Sequence, residues 1–331
     1  MNIRPTEYMY SSARVRAMEN GIMGASRLRG LADSKNTAEA VEKLASFGVN
    51  IKRDDVNTDA ALVGKLSAAY AEISQSAPSE KTFEWLKYPY DCNNLKLAIK
   101  CRIRGTRADE LLFDFGSVSA AATIDSAASG DYSAFPKNMA TAADEAVQEY
   151  AKTHDPQRID SIIDKACYAD MLECAVASGE DVFVDWVKTK IDLTNVMMTL
   201  RLIRMKRGEY GEIFLRSALL SGGDIDAEAL ALAYRGGEDE LTSLVYKSRY
   251  SKFAEAMVKT DKSLSAIEKC SDDYFMSRVK EVKWLPFGAP VLAAYLVAVE
   301  YEVKNIRIIL AAKDAGLSGD VIFERLRESY V

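Results

Sequence analysis

The chain has 331 residues, of which 48% are hydrophobic and 28% are charged, a composition typical of globular proteins and unlike that of disordered or fibrous chains. Its formal net charge of −6 at pH 7 gives no general reason to expect nucleic acid or an anionic lipid surface as a partner. The length is sufficient for two or three domains, each with its own core.

Neither a signal peptide nor a membrane-spanning helix is expected. The first residues are polar and charged, and the most apolar stretch, Val291–Val299, meets Glu300 well short of the roughly 20 residues that span a bilayer. The five cysteines form no CxxC pair, and His154 is the single histidine. We therefore expect reduced thiols in a cytoplasmic protein without a metal or cofactor, whose membrane association, if any, is peripheral.

The beginning of the chain is predicted to be helical. Tyr8–Leu31 carries apolar residues at helical spacing and is predicted to form one amphipathic helix. A second helix is predicted over Thr37–Phe47, with Thr37 as its N-cap and Gly48 after its end. An alanine-rich stretch, Ala60–Ile73, predicts a third.

A pattern of Trp, Lys, Asp and Asn then occurs twice, with part of it a third time. Both full copies have the same spacing and lie 101 residues apart: Trp85, Lys87, Asp91 and Asn94, then Trp186, Lys188, Asp192 and Asn195. The third copy keeps Glu302, Asn305 and Gly316. Each acid-x-x-Asn pair precedes an apolar and basic run that ends at a glycine. We therefore expect each acid to accept hydrogen bonds at a helix start, and each Asn to tie that start to a neighbouring helix.

A second correspondence predicts where the repeated units begin. Aligning Gly116 with Gly223 brings Gly130 onto Gly237 at the same spacing. Together the two correspondences predict three helical units of nearly equal length: residues 1–115, 116–222 and 223–331.

The third unit departs from the second around its tryptophan. Trp186 has only a loose counterpart in Trp284, which is displaced by the segment WLPFGAP, and Pro286 and Pro290 in that segment are predicted to break the helix. Strand signals are nearly absent throughout, so the predicted fold class is all-α, with about 70% or more of the residues in helices.

Motifs for enzymatic chemistry are weak. The pair Gly64-Lys65 is followed by Leu66 inside a predicted helix, which is not a P-loop. His154 precedes a proline turn and is interpreted as a loop or cap residue.

An acidic cluster, Asp54, Asp55 and Asp59, faintly resembles the aspartate-rich motif of all-helical terpenoid synthases. Thr58 stands where that motif needs its third carboxylate, so helix capping is the favoured interpretation over magnesium binding.

Basic residues follow the first acid-x-x-Asn pair at intervals of four. Lys96, Lys100 and Arg104 lie on one face of the predicted helix, and this basic stripe is a candidate binding face for an acidic partner. The alternative is that these cations complement the helix dipole and stay solvated.

Two segments at the ends of the chain carry a family resemblance: Tyr8–Glu19 (YMYSSARVRAME) and Pro286–Val331. The pattern in the second segment consists of Glu302, Asn305, Ile306, Arg307, Lys313, Gly316, Arg325 and Leu326. Both segments resemble the C subunit of the V/A-type rotary ATPases, which is the relative of the eukaryotic V-ATPase d subunit.

The resemblance implies a funnel-shaped array of three similar helical units with a pseudo-threefold arrangement and without catalytic residues or cofactors. It implies a socket on the cytoplasmic face of the membrane. Its partners would be the D- and F-type subunits of the central rotor shaft and the proteolipid ring. On this interpretation the basic stripe Lys96, Lys100 and Arg104 faces the shaft.

Two other functional classes remain open. A general helical-repeat adaptor would bind peptides on a concave face, but its repeats should be 34–45 residues long rather than over 100. A magnesium-dependent helical enzyme would depend on the acidic cluster.

Overall fold

The computed structural model describes residues 3–49, 58–108 and 111–331. Of the described residues, 77% are helical and none lies in a strand, which confirms the all-α fold class. The helices are α1 (Met9–Glu19), α2 (Ala25–Ala32), α3 (Thr37–Ser46), α4 (Thr58–Ser76), α5 (Tyr88–Arg104), α6 (Ala120–Ser129), α7 (Lys137–Thr153), α8 (Pro156–Ser178), α9 (Asp181–Met205), α10 (Gly208–Ala218), α11 (Ala227–Gly236), α12 (Glu238–Lys247), α13 (Ser251–Lys259), α14 (Leu264–Lys280), α15 (Ala289–Asp314) and α16 (Gly319–Arg325). Short 3₁₀ turns occupy Pro5–Tyr8, Glu80–Leu86 and Glu281–Trp284.

The prediction of one helix over Tyr8–Leu31 is wrong, because the segment forms α1 and α2. Gly21 and Gly24 lie between the two helices, and glycine has a low helix propensity. In addition, the amide of Met23 donates to the side chain of Glu302, 279 residues away, rather than to a carbonyl of the preceding helix.

Two details of helix ends also differ from the predictions. Asn36, not Thr37, caps α3: its side-chain oxygen accepts from the Glu39 amide at 3.0 Å. Pro290 does not break a helix but lies in the first turn of α15, where a missing amide hydrogen costs nothing.

The chain forms two compact units, one made of residues 1–80 and 255–331 and the other of residues 81–254. In the first unit α15 is the central helix, buried on nearly all sides, as expected for a helix that is apolar all round. It packs against α1, α2, α3, α4 and α16.

In the second unit α8 packs against α5, α7 and α9, and α9 packs against α11 and α12. Aromatic side chains from both full copies of the repeat meet there. The rings of Trp85 and Trp186 lie 6.5 Å apart, and Phe183 lies 5.4 Å from Trp85. The division into units of residues 1–115, 116–222 and 223–331 stays a prediction.

Candidate functional site

The first acid-x-x-Asn pair holds the backbone of the segment that follows α5. The buried carboxylate of Asp91 accepts from the Val118 amide at 3.0 Å, and from the amide and hydroxyl of Ser117 at 3.1 and 2.6 Å. One turn later, Asn94 donates to the carbonyl of Phe113 at 2.7 Å and accepts from its amide at 3.0 Å. Two side chains thus hold five polar groups.

The second pair repeats this arrangement with the segment that follows α10. Asp192 accepts from the amides of Asp224 and Ile225 at 2.8 and 3.1 Å. Asn195 donates to the Leu220 carbonyl and accepts from the Leu220 amide, both at 2.9 Å. All of these groups belong to the second unit.

The third pair lies in the first unit and joins residues from both ends of the chain. Asn305 donates to the Arg327 carbonyl at 3.0 Å and accepts from its amide at 2.8 Å. Glu302 accepts from the Met23 amide at 3.0 Å, and its second oxygen lies 2.5 Å from Nζ of Lys65. We call each acid, its Asn and the backbone that they hold a junction.

The three junctions are equivalent in what the acid holds. In each, an amide at 3.0 to 3.1 Å belongs to the residue directly before the N-cap of a helix. These amides are those of Val118 before Ser119 and α6, Ile225 before Asp226 and α11, and Met23 before Gly24 and α2. In the third junction, the segment that α15 holds therefore comes from near the start of the chain, directly before α2.

The expected position of the acids at helix starts is corrected for two junctions. Asp192 and Glu302 lie in the middle of α9 and α15, and only Asp91 lies in a first turn. Amides inside a helix are already bonded to its own carbonyls, so these carboxylates accept from the segment that enters the next helix. Each Asn likewise ties a connecting segment rather than a neighbouring helix.

The two aligned glycines are explained by the same junctions. A Cβ atom on Gly116 would lie 2.1 Å from Oδ1 of Asp91, and one on Gly223 would lie 2.1 Å from Oδ1 of Asp192. No heavy atom fits at that distance. The backbone can therefore reach the carboxylate only where the side chain is absent.

Sequence reasoning missed the further groups that hold these acids. The Tyr250 hydroxyl donates to Asp192 at 2.6 Å, and burial together with that hydrogen bond raises the pKa of Tyr250. Burial also raises the pKa of Asp91, although its hydrogen bonds from Ser117 and Val118 oppose the effect. Neither Tyr250 nor Lys65 has a sequence signal for its role, because each is brought to its acid only by packing.

The basic stripe is largely engaged within the second unit. Lys96 lies 2.6 Å from Oδ1 of Asp164, and Lys100 forms an ion pair with Asp160, so both connect α5 to α8. Arg104, in the last turn of α5, is exposed. The three residues share a helix face as predicted, but two of them already have acidic partners in this chain.

The other candidate motifs carry no site among the described residues. Gly64 and Lys65 lie inside α4, where Lys65 pairs with Glu302 rather than lining a phosphate loop. His154 is the C-cap of α7, with φ of 52°. Asp54 and Asp55 lie outside the described residues, and the side chain of Asp59 is not among those described. In the part that the structure describes, no group of three or more His, Cys, Asp or Glu residues could hold a metal ion.

The chain matches the family model described as ATP synthase (C/AC39) subunit over residues 11–325. It belongs to this family. The resemblance inferred from Tyr8–Glu19 and Pro286–Val331 is thereby confirmed, and the match also covers the middle of the chain. All three junctions lie within the matched range except for the backbone of Arg327.

Curated relatives in this family align over most of their length. The C subunit of the V-type sodium ATPase of Enterococcus hirae is 26% identical over 278 residues, which are 83% of this chain and 84% of that protein. The C subunit of the A-type ATP synthase of Thermococcus kodakarensis is 25% identical over 353 residues, covering 98% and 91%. The C subunit of the A-type ATP synthase of Methanocaldococcus jannaschii is 25% identical over 344 residues, covering 95% and 85%.

Across the described residues, none of the helices combines the length and the apolar character needed to cross a membrane. The Val291–Val299 stretch lies within α15, which is buried in the first unit.

Proposed function

We propose that this chain is a non-catalytic subunit of the central stalk of a V/A-type rotary ATPase. It acts as a socket that couples the rotor shaft to the proteolipid ring and so transmits torque for ATP-driven ion transport or for ATP synthesis. The observation that carries the proposal is the family match over residues 11–325. The names of the relatives, which are C subunits of a V-type sodium ATPase and of A-type ATP synthases, agree with it.

The junctions support a mechanical role for the chain. A part that transmits torque must resist bending, and close-packed interiors transmit strain because they have low compressibility. Each junction adds buried hydrogen bonds that hold a connecting segment to a long helix. Such satisfied polar networks fix one conformation of the segments that join helices.

The proposed architecture is a funnel of three similar units, residues 1–115, 116–222 and 223–331, related by a pseudo-threefold arrangement. The equivalence of the three junctions favours this division, because the same contacts occur once for each copy of the acid-x-x-Asn pair, on α5, α9 and α15. The proposed location is the cytoplasmic face of the membrane, with the chain bound peripherally through the complex.

The coupling role can be tested in a rotary complex purified with and without this chain. We expect a complex assembled without it to hydrolyse ATP while losing ATP-driven ion transport, and adding the purified chain back should restore transport. Undiminished transport in its absence would contradict the proposal. ATP hydrolysis serves as the control that the catalytic part is intact.

We further propose that the basic stripe Lys96, Lys100 and Arg104 faces the shaft. Arg104→Glu tests this cleanly, because it leaves the ion pairs of Lys96 and Lys100 with α8 intact. We expect weaker, salt-sensitive shaft binding, and Lys252→Glu, a reversal at an exposed lysine of α13, serves as the control. Equal affinities for both variants would refute the proposal.

A further inference from the structure

The tryptophans of the repeat have different environments. Trp85 and Trp186 are 0% and 1% exposed, whereas Trp284, the loose counterpart of Trp186, is 89% exposed. Its neighbour Leu285 is 38% exposed. A tryptophan left in water forgoes the largest gain from burial of any side chain, so its position needs a reason beyond stability of the chain.

The backbone around Trp284 is held in one conformation. Nη2 of Arg16 donates to the carbonyls of Val282, Lys283 and Leu285 at 3.1, 3.3 and 3.0 Å, on both sides of the tryptophan. Nη1 of the same guanidinium donates to the carboxylate of Glu19 at 2.8 Å. The exposed ring is therefore presented by a fixed backbone.

The same loop is also tied to α1 on its far side. The Gly288 amide donates to the hydroxyl of Ser12 at 3.1 Å, and Pro286 restricts the backbone between Trp284 and Gly288. We call residues 282–288 the tryptophan loop.

A groove of about 630 Å³ lies beside the tryptophan loop. It is lined by Arg16, Glu19, Ile22, Arg27 and Lys283, among others. Glu19 is paired with Arg16. Lys283 and Arg27 instead lie over aromatic rings, at 4.6 Å from the centroid of Tyr330 and 5.5 Å from that of Phe47.

The described residues do not balance the charge of this groove. No described carboxylate lies within ion-pair distance of Lys283 or Arg27. Burial and the nearby cations Lys280 and Arg16 lower the pKa of Lys283, with Glu19 opposing them. The groove is therefore positive, next to one large apolar side chain.

We propose that the tryptophan loop and this groove form a docking surface for a protein segment that offers an apolar pocket to Trp284 and carboxylates to Lys283 and Arg27. This inference rests on the proposed function, because it takes the partner to be another subunit of the rotary complex. A rigid tryptophan flanked by cations matches the anchors that dominate protein interfaces. A fixed backbone reduces the entropy cost of binding to a shaped pocket, whereas insertion into a bilayer interface requires no fixed backbone.

Fluorine NMR can follow the three tryptophans separately in the intact chain. The chain, labelled with 5-fluorotryptophan, should give three resonances, and Trp284→Phe assigns one of them. In the free chain only the Trp284 resonance should respond to a soluble paramagnetic agent, because the other two rings are buried. After addition of the unlabelled complex assembled without this chain, we expect that response to be lost. A persistent response in the assembled complex would overturn the proposal.

Affinity measurements on the same complex test the energetic role. We expect Trp284→Ala to raise the Kd at least about tenfold, and Lys283→Glu to raise it in a manner that weakens with salt. Tyr210→Ala is the matched control, since Tyr210 is 84% exposed on α10. An unchanged Kd for Trp284→Ala, or an equal loss for Tyr210→Ala, would overturn the proposal.

A last measurement separates a protein partner from a lipid surface. The free labelled chain is mixed with vesicles containing anionic lipid, and we expect Trp284 to remain accessible to the paramagnetic agent. Protection by vesicles alone would overturn the proposal in favour of membrane contact. The wild-type chain tests the proposed function in the same series: if it does not bind the complex, the proposed function fails. If the wild-type chain binds and Trp284→Ala binds equally well, only this inference fails.

Discussion

At the scale of single residues, the side chain of each junction asparagine bonds both the N–H and the C=O group of one residue in a connecting segment. Asn94, Asn195 and Asn305 each bond both the amide and the carbonyl of one residue, at distances between 2.7 and 3.0 Å. A primary amide side chain carries its donor and its acceptor side by side in one plane, as the paired peptide groups require. Aspartate or leucine at these positions would leave buried backbone groups unpaired, which costs roughly 1–3 kcal/mol for each group.

The glycines at the first two junctions give a residue-scale prediction. Gly223→Ala should lower the free energy of unfolding by about 1–3 kcal/mol, since its Cβ would overlap Oδ1 of Asp192 and force the buried carboxylate to move. Chemical denaturation measures the change.

Gly64→Ala is the control, because Gly64 lies inside α4 and a Cβ added there would meet no neighbouring side chain or segment of the described chain within 4 Å. Alanine there should stabilise the chain by roughly 0.5–1 kcal/mol through its helix propensity. Equal effects at the two positions would refute the proposed close approach.

At the scale of elements, the third junction differs from the other two in its use of an ion pair. In α9, the second oxygen of Asp192 accepts from the Asp224 amide and from the Tyr250 hydroxyl. In α15, the corresponding oxygen of Glu302 faces Lys65 of α4. The side chain of Glu302 is 1% exposed, so α15 contributes a buried charge that depends on α4.

This dependence predicts a non-additive pair of substitutions. Lys65→Met should destabilise the chain by about 3–5 kcal/mol, because it leaves the Glu302 carboxylate buried without its counter-charge. The double variant Lys65→Met/Glu302→Gln should recover most of that loss, since Gln keeps an oxygen for the Met23 amide.

Thermal and denaturant unfolding of the two variants measure the coupling. Lys43→Met serves as the control. It removes an ion pair with Glu39 and a hydrogen bond to the Gly30 carbonyl, both partly exposed, and should cost well under the loss expected for Lys65→Met. Additive losses in the double variant would contradict a buried ion pair at this junction.

At the scale of the whole molecule, the first unit is discontinuous in sequence. Its central helix α15 comes from the C-terminal part of the chain and packs against α1 to α4 from the N-terminal part. The hydroxyl of Ser329 also donates to the Met23 carbonyl at 2.7 Å. The second unit, residues 81–254, is continuous.

Fragments should therefore differ in their ability to fold. We expect residues 81–254 to unfold cooperatively when expressed alone, because their long helices and the helices that cover them are all present. Residues 1–80 should lack a cooperative transition until residues 255–331 are added, because α15 supplies the other side of their core. Circular dichroism during heating distinguishes these outcomes, and cooperative unfolding of residues 1–80 alone would contradict the prediction.

Much of the local structure could be predicted from the sequence. Hydrophobic periodicity and the absence of strand patterns predicted the all-α class, and the matching offsets of Asp91 and Asn94 with Asp192 and Asn195 predicted that these residues share one environment. The paired glycines Gly116 and Gly223 were found by alignment alone. These features are local or periodic, so they leave a direct record in the order of residues.

The sequence by itself determined the helical class, the repeat and the family resemblance at the two ends of the chain. Only the tertiary structure decided what each acid holds, because the bonded amides lie 26 or more residues away and, for Glu302, 279 residues away. It also decided that Lys96 and Lys100 face the carboxylates of α8 and that Trp284 is exposed while Trp85 and Trp186 are buried. Such contacts depend on how helices pack, and helix packing depends on the shapes of side chains from distant segments rather than on any local pattern.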